Sequence, residues 1–309
     1  MNKNIILVTG GAGFIGSCLI KYLIKIKIKE KIVSLDNYSS GYKKNHIKNK
    51  NVKYIKGDNK NIDIILKRYK KKIKLIYHFG EYSRIFQSFK NYKKCFEYNI
   101  HHLSKVIEFA KDNKIKLIYS ATSSNLGNNG NDENLSPYAW TKSKNIELIK
   151  NYSKWFGLKY ELVYFFNVYG PGQILKTNMS AVIGIFETLY KNKKPITVVK
   201  PGTQKRDFTH VQDIVNGCYL AWKKGRQSEY MLGTYKQYSI IQVAKMFKSK
   251  IIFLKSRKGE RFKSFIPNNN AKKHLNFKST IDIKDYINDF LSKNVWKFIM
   301  EKQFMITKK

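Results

Sequence analysis

Acidic residues and cysteines are both scarce in this 309-residue chain. The three cysteines, Cys18, Cys95 and Cys218, are far apart, odd in number and without metal-ligand spacing. That excludes a disulfide framework and a cysteine-based metal centre, and it predicts a reduced, cytoplasmic protein. The six histidines show no metal spacing either. No run of eighteen apolar residues occurs, so no membrane-spanning helix is expected. The apolar stretch at residues 5–8 is too short for the core of a signal peptide and runs into glycines. No internal repeat or low-complexity linker is visible. Against 21 acidic residues stand 60 basic ones, a formal net charge of +39. Such an excess can mark a nucleic-acid or membrane partner. Here the lysines are scattered along the whole length among Asn and Ile, with no basic tail and no arginine-rich stripe. A coding bias explains that spread as well as function does, so neither partner is expected, and the positive field favours an anionic small substrate.

What is present is a packed globule. Hydrophobic residues make up 42% and aromatics 14%, and the length suits one large domain or two intimately joined ones. Short β-rich runs alternate with helical patterns, the mark of a parallel sheet covered on both faces. Residues 5–9 form a continuous apolar run, as in a strand buried on both sides. It ends in Gly10-Gly11-Ala12-Gly13-Phe14-Ile15-Gly16, followed by a helical pattern. Glycines at 10, 13 and 16 permit a tight turn, close approach of backbone to a pyrophosphate, and close helix–strand packing. The free amides of the helix start, around Phe14 and Ile15, would face the phosphates.

Further strands are predicted over 32–35, 52–55, 75–79, 115–119 and 160–165, with helices over roughly 92–111 and 137–156. Asp36, twenty residues beyond Gly16, is placed to hold both hydroxyls of an adenosine ribose and to repel a 2′-phosphate, which favours NAD over NADP. The bland alternative is a turn aspartate capping 37–41, and Lys43 and Lys44 are near enough to reach a phosphate. Asn37, Asp58 and Asn59 complete the candidate cofactor set. Asp58 suits an adenine amine or merely a turn.

Near the middle stands Ser136-Pro137-Tyr138-Ala139-Trp140-Thr141-Lys142. Ser136 is a helix N-cap and Pro137 fits the position after it. Tyr138 and Lys142 then share one helix face. A phenol has an ordinary pKa of about 10, which a nearby ammonium lowers, so the pair can move a proton on a substrate hydroxyl near neutral pH. A solvated helix face explains the pair equally well in so lysine-rich a chain. Upstream, Ser120-Ala121-Thr122-Ser123-Ser124 puts hydroxyls at the carboxyl end of a strand, facing the ligand crevice of such a sheet.

These motifs, in this order, resemble the extended short-chain dehydrogenase/reductase family, specifically its nucleotide-sugar epimerases and dehydratases such as UDP-glucose 4-epimerase. Phe166-Asn167-Val168-Tyr169-Gly170-Pro171-Gly172, the stretch from Arg206 to Asp213, and Arg257-Lys258-Gly259-Glu260 extend the likeness over residues 4–290. The resemblance implies an α/β fold: a Rossmann-type doubly wound parallel sheet with a smaller C-terminal α/β substrate domain. It places an NAD-binding domain over 1–166 and a mainly substrate-binding domain over 167–309, partly interleaved with the first. It implies catalysis by Thr122, Tyr138 and Lys142, with Lys142 also on the cofactor. Asn167, Arg206 and Arg257 would meet the diphosphate of a nucleotide sugar. Glu81 stands where an alanine is usual, so it either touches substrate or pairs with Arg84. Asp207 and Asp213 read as structural, His101-His102 as a helix-surface pair and His210 as packing.

Dehydratases of the family carry Asp-Glu directly after the hydroxyl residue. Ser123 and Ser124 stand there instead, which favours epimerisation at C4 through a 4-keto sugar. Dehydration, decarboxylation or 4-keto reduction remain open, as does a non-enzymatic NAD-binding sensor. Leu126-Gly127 replaces the usual Tyr-Gly and Pro171-Gly172 the usual Pro-Arg. A homodimer formed through the helices at 92–111 and 137–156 is expected. Residues 293–309, with Trp296, Phe298 and Ile299, lie beyond the resemblance and suit an added helix or a subunit contact.

Overall fold

Ile5–Thr9 is buried at every position, as an uninterrupted apolar run must be when helices cover both faces of a parallel sheet. The structure is a computed structural model and describes residues 4–126, 132–175, 180–259 and 261–306, with side chains to residue 294. Gly127 and Glu260, two of the motif residues above, lie outside the described residues, as do the side chains of Trp296, Phe298 and Ile299.

The strands are β1 (Ile5–Thr9), β2 (Lys31–Asp36), β3 (Val52–Lys56), β4 (Ile73–His78), β5 (Lys116–Thr122), β6 (Tyr160–Phe165), β7 (Ile196–Val199), β8 (Lys205–Asp207), β9 (Glu229–Leu232), β10 (Gln237–Ser239) and β11 (Ile251–Leu254). Seven of them form one sheet in the order β3-β2-β1-β4-β5-β6-β9, all neighbours parallel. The chain therefore winds outward from β1 in one direction and from β4 in the other. The crevice above that reversal, at the carboxyl ends of β1 and β4, is where such a sheet binds ligands. Two hydrophobic cores fill its faces, one around Leu7, Val106 and Leu117, the other around Val8, Leu19 and Ile214.

Residues 211–232 return to this sheet. Helix Val211–Lys224 packs on helix Phe14–Lys25, and β9 supplies the last strand beside β6. A third core, with Phe186, Val198, Phe208 and Phe247, gathers a lobe around the two-stranded pairs β7–β11 (parallel) and β8–β10 (antiparallel). Buried aspartates join the parts. Asp207 accepts from the Thr234 and Tyr235 amides at 3.0 and 2.7 Å, and from the Thr209 and Thr234 hydroxyls. Asp213 accepts from the Thr280 and Ile281 amides at 3.1 and 3.2 Å and from the Ser279 and Thr280 hydroxyls. His210 caps the helix that follows it, its Nδ1 accepting from the Gln212 amide. Helix Ile283–Ile306 carries the chain beyond residue 293, as one of the two expectations for that segment had it.

Two elements differ from the pattern read in the sequence. β5 runs on past Tyr119 to Thr122, so the hydroxyls of Ser120 and Thr122 belong to the strand itself. The helix expected over 92–111 is interrupted by a wide π turn, Glu97–His101. Asn99, within that turn, is fully buried. There its side chain accepts from the Tyr82 amide at 2.8 Å and donates to the Tyr82 carbonyl and the Thr141 hydroxyl. The turn thus fastens the loop after β4 to helix Pro137–Phe156.

Removing the Asp213 carboxylate loses hydrogen bonds from two amides and two hydroxyls, at about 0.5–1.5 kcal/mol each. Asp213→Ala is expected to lower the unfolding free energy by about 2–4 kcal/mol in urea melts. A loss under about 0.5 kcal/mol, the range of neutral surface changes, would contradict its bracing role.

Candidate active site

The crevice above the strand reversal opens into a cleft of about 800 Å³ that reaches into the third-core lobe. At one end, Gly10 has φ +70°, and a Cβ there would lie 2.8 Å from the Gly80 amide nitrogen. A Cβ at Gly16 would lie 2.3 Å from the Gly10 carbonyl oxygen. Only glycine allows this loop to pass so close to itself and to the neighbouring strand end. Helix Phe14–Lys25 begins at Gly13 with no side-chain cap, so its first-turn amides are left for a ligand in the cleft, a ready anion site.

Asp36 ends β2 with its carboxylate buried beside this loop, accepting from the Ala12 amide at 2.9 Å and the Tyr38 amide at 2.7 Å. Burial pushes its pKa up, and those two amides oppose the shift. Asn37 and Asn59 also line the cleft. Asp58 does not. Its oxygens are taken by the Asn37 amide at 2.9 Å, the Lys60 amide at 3.2 Å and His102 Nδ1 at 2.8 Å. The turn role weighed for it is seen, its carboxylate capping the short helix Asn59–Asn61. His102 is likewise no surface residue. It is buried against Asp58 and lines the cleft, on the same face of helix His102–Asp112 as buried Val106.

The cleft floor lies at the end of β5 and the start of helix Pro137–Phe156. Ser136 Oγ accepts from the Ala139 amide at 3.1 Å and Pro137 occupies the first turn, so Tyr138 and Lys142 project from one face as expected. Thr122 Oγ1 accepts from the Ser124 amide and donates to Ser124 Oγ, both at 3.1 Å. Tyr138, Lys142 and Thr122 all line the cleft, together with Asn167, Arg206 and Arg257 from the later motifs. Asn167 is pinned by donating to the Asp207 carbonyl at 2.8 Å, and Arg206 is buried. Arg257 sits exposed at the mouth, its guanidinium 5.1 Å from the Phe86 ring centre.

The charge pattern around Tyr138 departs from the expectation. Lys142 does not lie free beside the phenol: its Nζ donates to Glu81 Oε2 and to the Ser120 carbonyl. Burial pushes the Tyr138 phenol up to about 12, with hydrogen bonding to Thr122 acting the other way. The cation that favours its phenolate is Arg84. Glu81 therefore pairs with Lys142 and not with Arg84. Nor is it held out to substrate, since its other oxygen accepts from Tyr119 and Asn145 at 3.1 and 3.0 Å and its side chain is 3% exposed. Sequence reading also missed Arg261, buried in the cleft wall and donating to the Ser123 carbonyl. Its only signal was its place four residues past Arg257.

The family model described as the NAD dependent epimerase/dehydratase family matches residues 6–233. A dTDP-D-glucose 4,6-dehydratase of Dictyostelium discoideum is 30% identical over 266 residues, 78% of this chain and 60% of that one. The structure superposes on UDP-glucose 4-epimerase from Thermotoga maritima, solved with UDP-glucose, with a TM-score of 0.86 at 24% identity, covering 96% and 99% of the two chains. UDP-glucuronic acid 4-epimerase from Bacillus cereus, in complex with UDP-glucuronic acid and NAD, gives 0.82 at 26% identity over 94% and 99%.

The Asp36 carboxylate is the group expected to face the 2′ position, where the two dinucleotides differ by one phosphate. NAD is expected to bind about tenfold or more tightly than NADP, and Asp36→Ala to narrow that gap. Equal affinities in a fluorescence titration of the parent protein would contradict the assignment of Asp36.

Proposed function

The chain belongs to the NAD dependent epimerase/dehydratase family, and from that membership we propose that it epimerises a nucleotide-diphosphate sugar at C4 through a transient 4-keto sugar. The observation that carries epimerisation over dehydration is the supply of carboxylates. Loss of water from a 4-keto sugar needs an acid and a base beside the ring. Among the described residues, the cleft's carboxylates are Asp36, at the glycine-loop end, and Glu81, bound to Lys142. Ser123 and Ser124 follow Thr122 where an acid–base pair would be needed.

The glycine loop, the uncapped helix start and Asp36 fit NAD: close backbone approach for a diphosphate and a carboxylate for ribose hydroxyls. Bound there, NAD would supply the acceptor for the C4 hydride. Tyr138 takes the proton from the C4 hydroxyl as that carbon is oxidised, and returns it when the opposite face of the ketone is reduced. Thr122 donates to the same sugar oxygen and fixes its direction. Lys142 holds the cofactor ribose. Arg206 and Arg257 meet the nucleotide diphosphate, for which a planar guanidinium offers paired donors, and Asn167 lies beside them.

The assembly we infer is a homodimer, supported by Tyr92, Trp155 and Phe156, large side chains left exposed on the two helices expected to pair. A cytoplasmic site is supported by three free, buried cysteines. No helix among the described residues is long and apolar enough to cross a membrane.

Purified protein incubated with a panel of nucleotide sugars is expected to yield C4 epimers by NMR, whereas a 4-keto-6-deoxy product would mean dehydration. On the sugar so identified, Tyr138→Phe is expected to lower turnover by about 10²–10⁴-fold while NAD still binds. Thr122→Val should lower turnover with NAD affinity intact. Parent-like turnover by Tyr138→Phe would remove the phenol from the mechanism.

A further inference from the structure

Glu81 is the carboxylate of the cleft that the mechanism above leaves unused. Its carboxylate sits in a pocket built for it. Tyr119 Oη donates to Oε1 at 3.1 Å, Asn145 Nδ2 donates to Oε1 at 3.0 Å, and the Lys142 ammonium donates to Oε2. Asn145 is itself fixed by donating to the Asn99 carbonyl at 2.7 Å, and so tied to the π turn. Lys142 has the Ser120 carbonyl as its second acceptor and the Tyr119 ring centre 4.3 Å from Nζ. Side chains of Glu81 and Lys142 are 3% and 4% exposed. An ammonium so buried keeps its proton only with a counter-charge, and a carboxylate so buried keeps its charge only with donors.

We propose that Glu81 is a positioning residue for the proton-transfer site: it latches Lys142 in the cleft wall and is the counter-charge that keeps the ammonium protonated. This rests on the epimerase reading above for its kinetic test, but not for its structural one. Burial works against the charge on both partners, and each holds the other. The other groups around them leave that balance intact. On β4, His78 lies within 3.9 Å of Glu81 and is held down to about 3, so it is neutral. On helix Tyr92–Phe96, the Cys95 thiol is pushed up to about 11 and is also neutral. From β5 come only the Tyr119 phenol and the Ser120 carbonyl. Facing Tyr138 besides these are the Thr122 hydroxyl and the Arg84 guanidinium. Glu81 therefore keeps Lys142 charged and holds it where it meets the cofactor ribose in the reading above.

The sign follows. Replacing the carboxylate by an amide takes away the counter-charge of a buried ammonium, so Lys142 loses its proton at lower pH. Glu81→Gln is expected to move the alkaline limb of the kcat/KM profile downward by about one pH unit or more. A residue that only filled space would lower kcat at every pH and leave the limb where it was. An unmoved limb, or one displaced upward, would overturn the proposal.

The second arm needs no substrate. Lys142→Met leaves the Glu81 carboxylate buried without its counter-charge, and Lys142→Met with Glu81→Gln removes the stranded charge. The double variant is expected to melt at a higher temperature than Lys142→Met alone. Additive losses would mean that the two side chains are not coupled, and the latch would fall. Turnover that failed on every sugar while the melting cycle showed coupling would sink the epimerase reading and leave the latch standing.

Discussion

All strands of the central sheet point the same way, so all their carboxyl ends meet one edge, and the reversal between β1 and β4 leaves a crevice there that no helix fills. The remaining site geometry depends on that constraint. It brings Gly10 from the end of β1, Asp36 from β2, Glu81 from just beyond β4 and Thr122 from β5 to one cleft. Helix Pro137–Phe156 then lays Tyr138 and Lys142 across it, capped by Ser136 at the turn that sets the helix in place. Parallel pairing from β5 to β6 and β9 brings residues 211–232 home, which anchors the second lobe against the first.

Within that cleft, charge is distributed more carefully than a chain of net charge +39 suggests. The Lys142 ammonium is paired with Glu81, and the guanidiniums of Arg84, Arg206, Arg257 and Arg261 are spread along the cleft lining. A cleft with bare cations on every side would hold an anionic ligand tightly without favouring the reacting geometry. Differential binding requires the field to be strong where charge develops and weak elsewhere.

What the sequence disclosed was what local pattern encodes. Residues 5–9 had to be a doubly buried strand, the glycines at 10, 13 and 16 had to be a close-approach loop, and Ser136-Pro137 had to start a helix. Non-local contacts were not legible. Glu81 looked like a partner for Arg84 because the two are three residues apart, whereas its actual partner, Lys142, is 61 residues away and is selected by the fold. His102 read as surface because polar histidines on a helix usually face water, whereas the fold brings Asp58 to its ring. Arg261 was indistinguishable from dozens of other basic residues until the chain folded it onto the Ser123 carbonyl. Nor could the sequence show that His102 and Asn37 arrive at the oxygens of Asp58.

The central claim is that hydrogen leaves C4 of the sugar and returns to the same carbon without passing through solvent. A nucleotide sugar deuterated at C4, converted by the purified protein in ordinary water and followed by NMR, tests this directly. The account predicts that the C4 epimer retains its deuterium at C4 through many turnovers. Replacement of that deuterium by solvent hydrogen during epimerisation would contradict it, since the configuration would then be inverted by proton exchange and not by hydride transfer within the cleft.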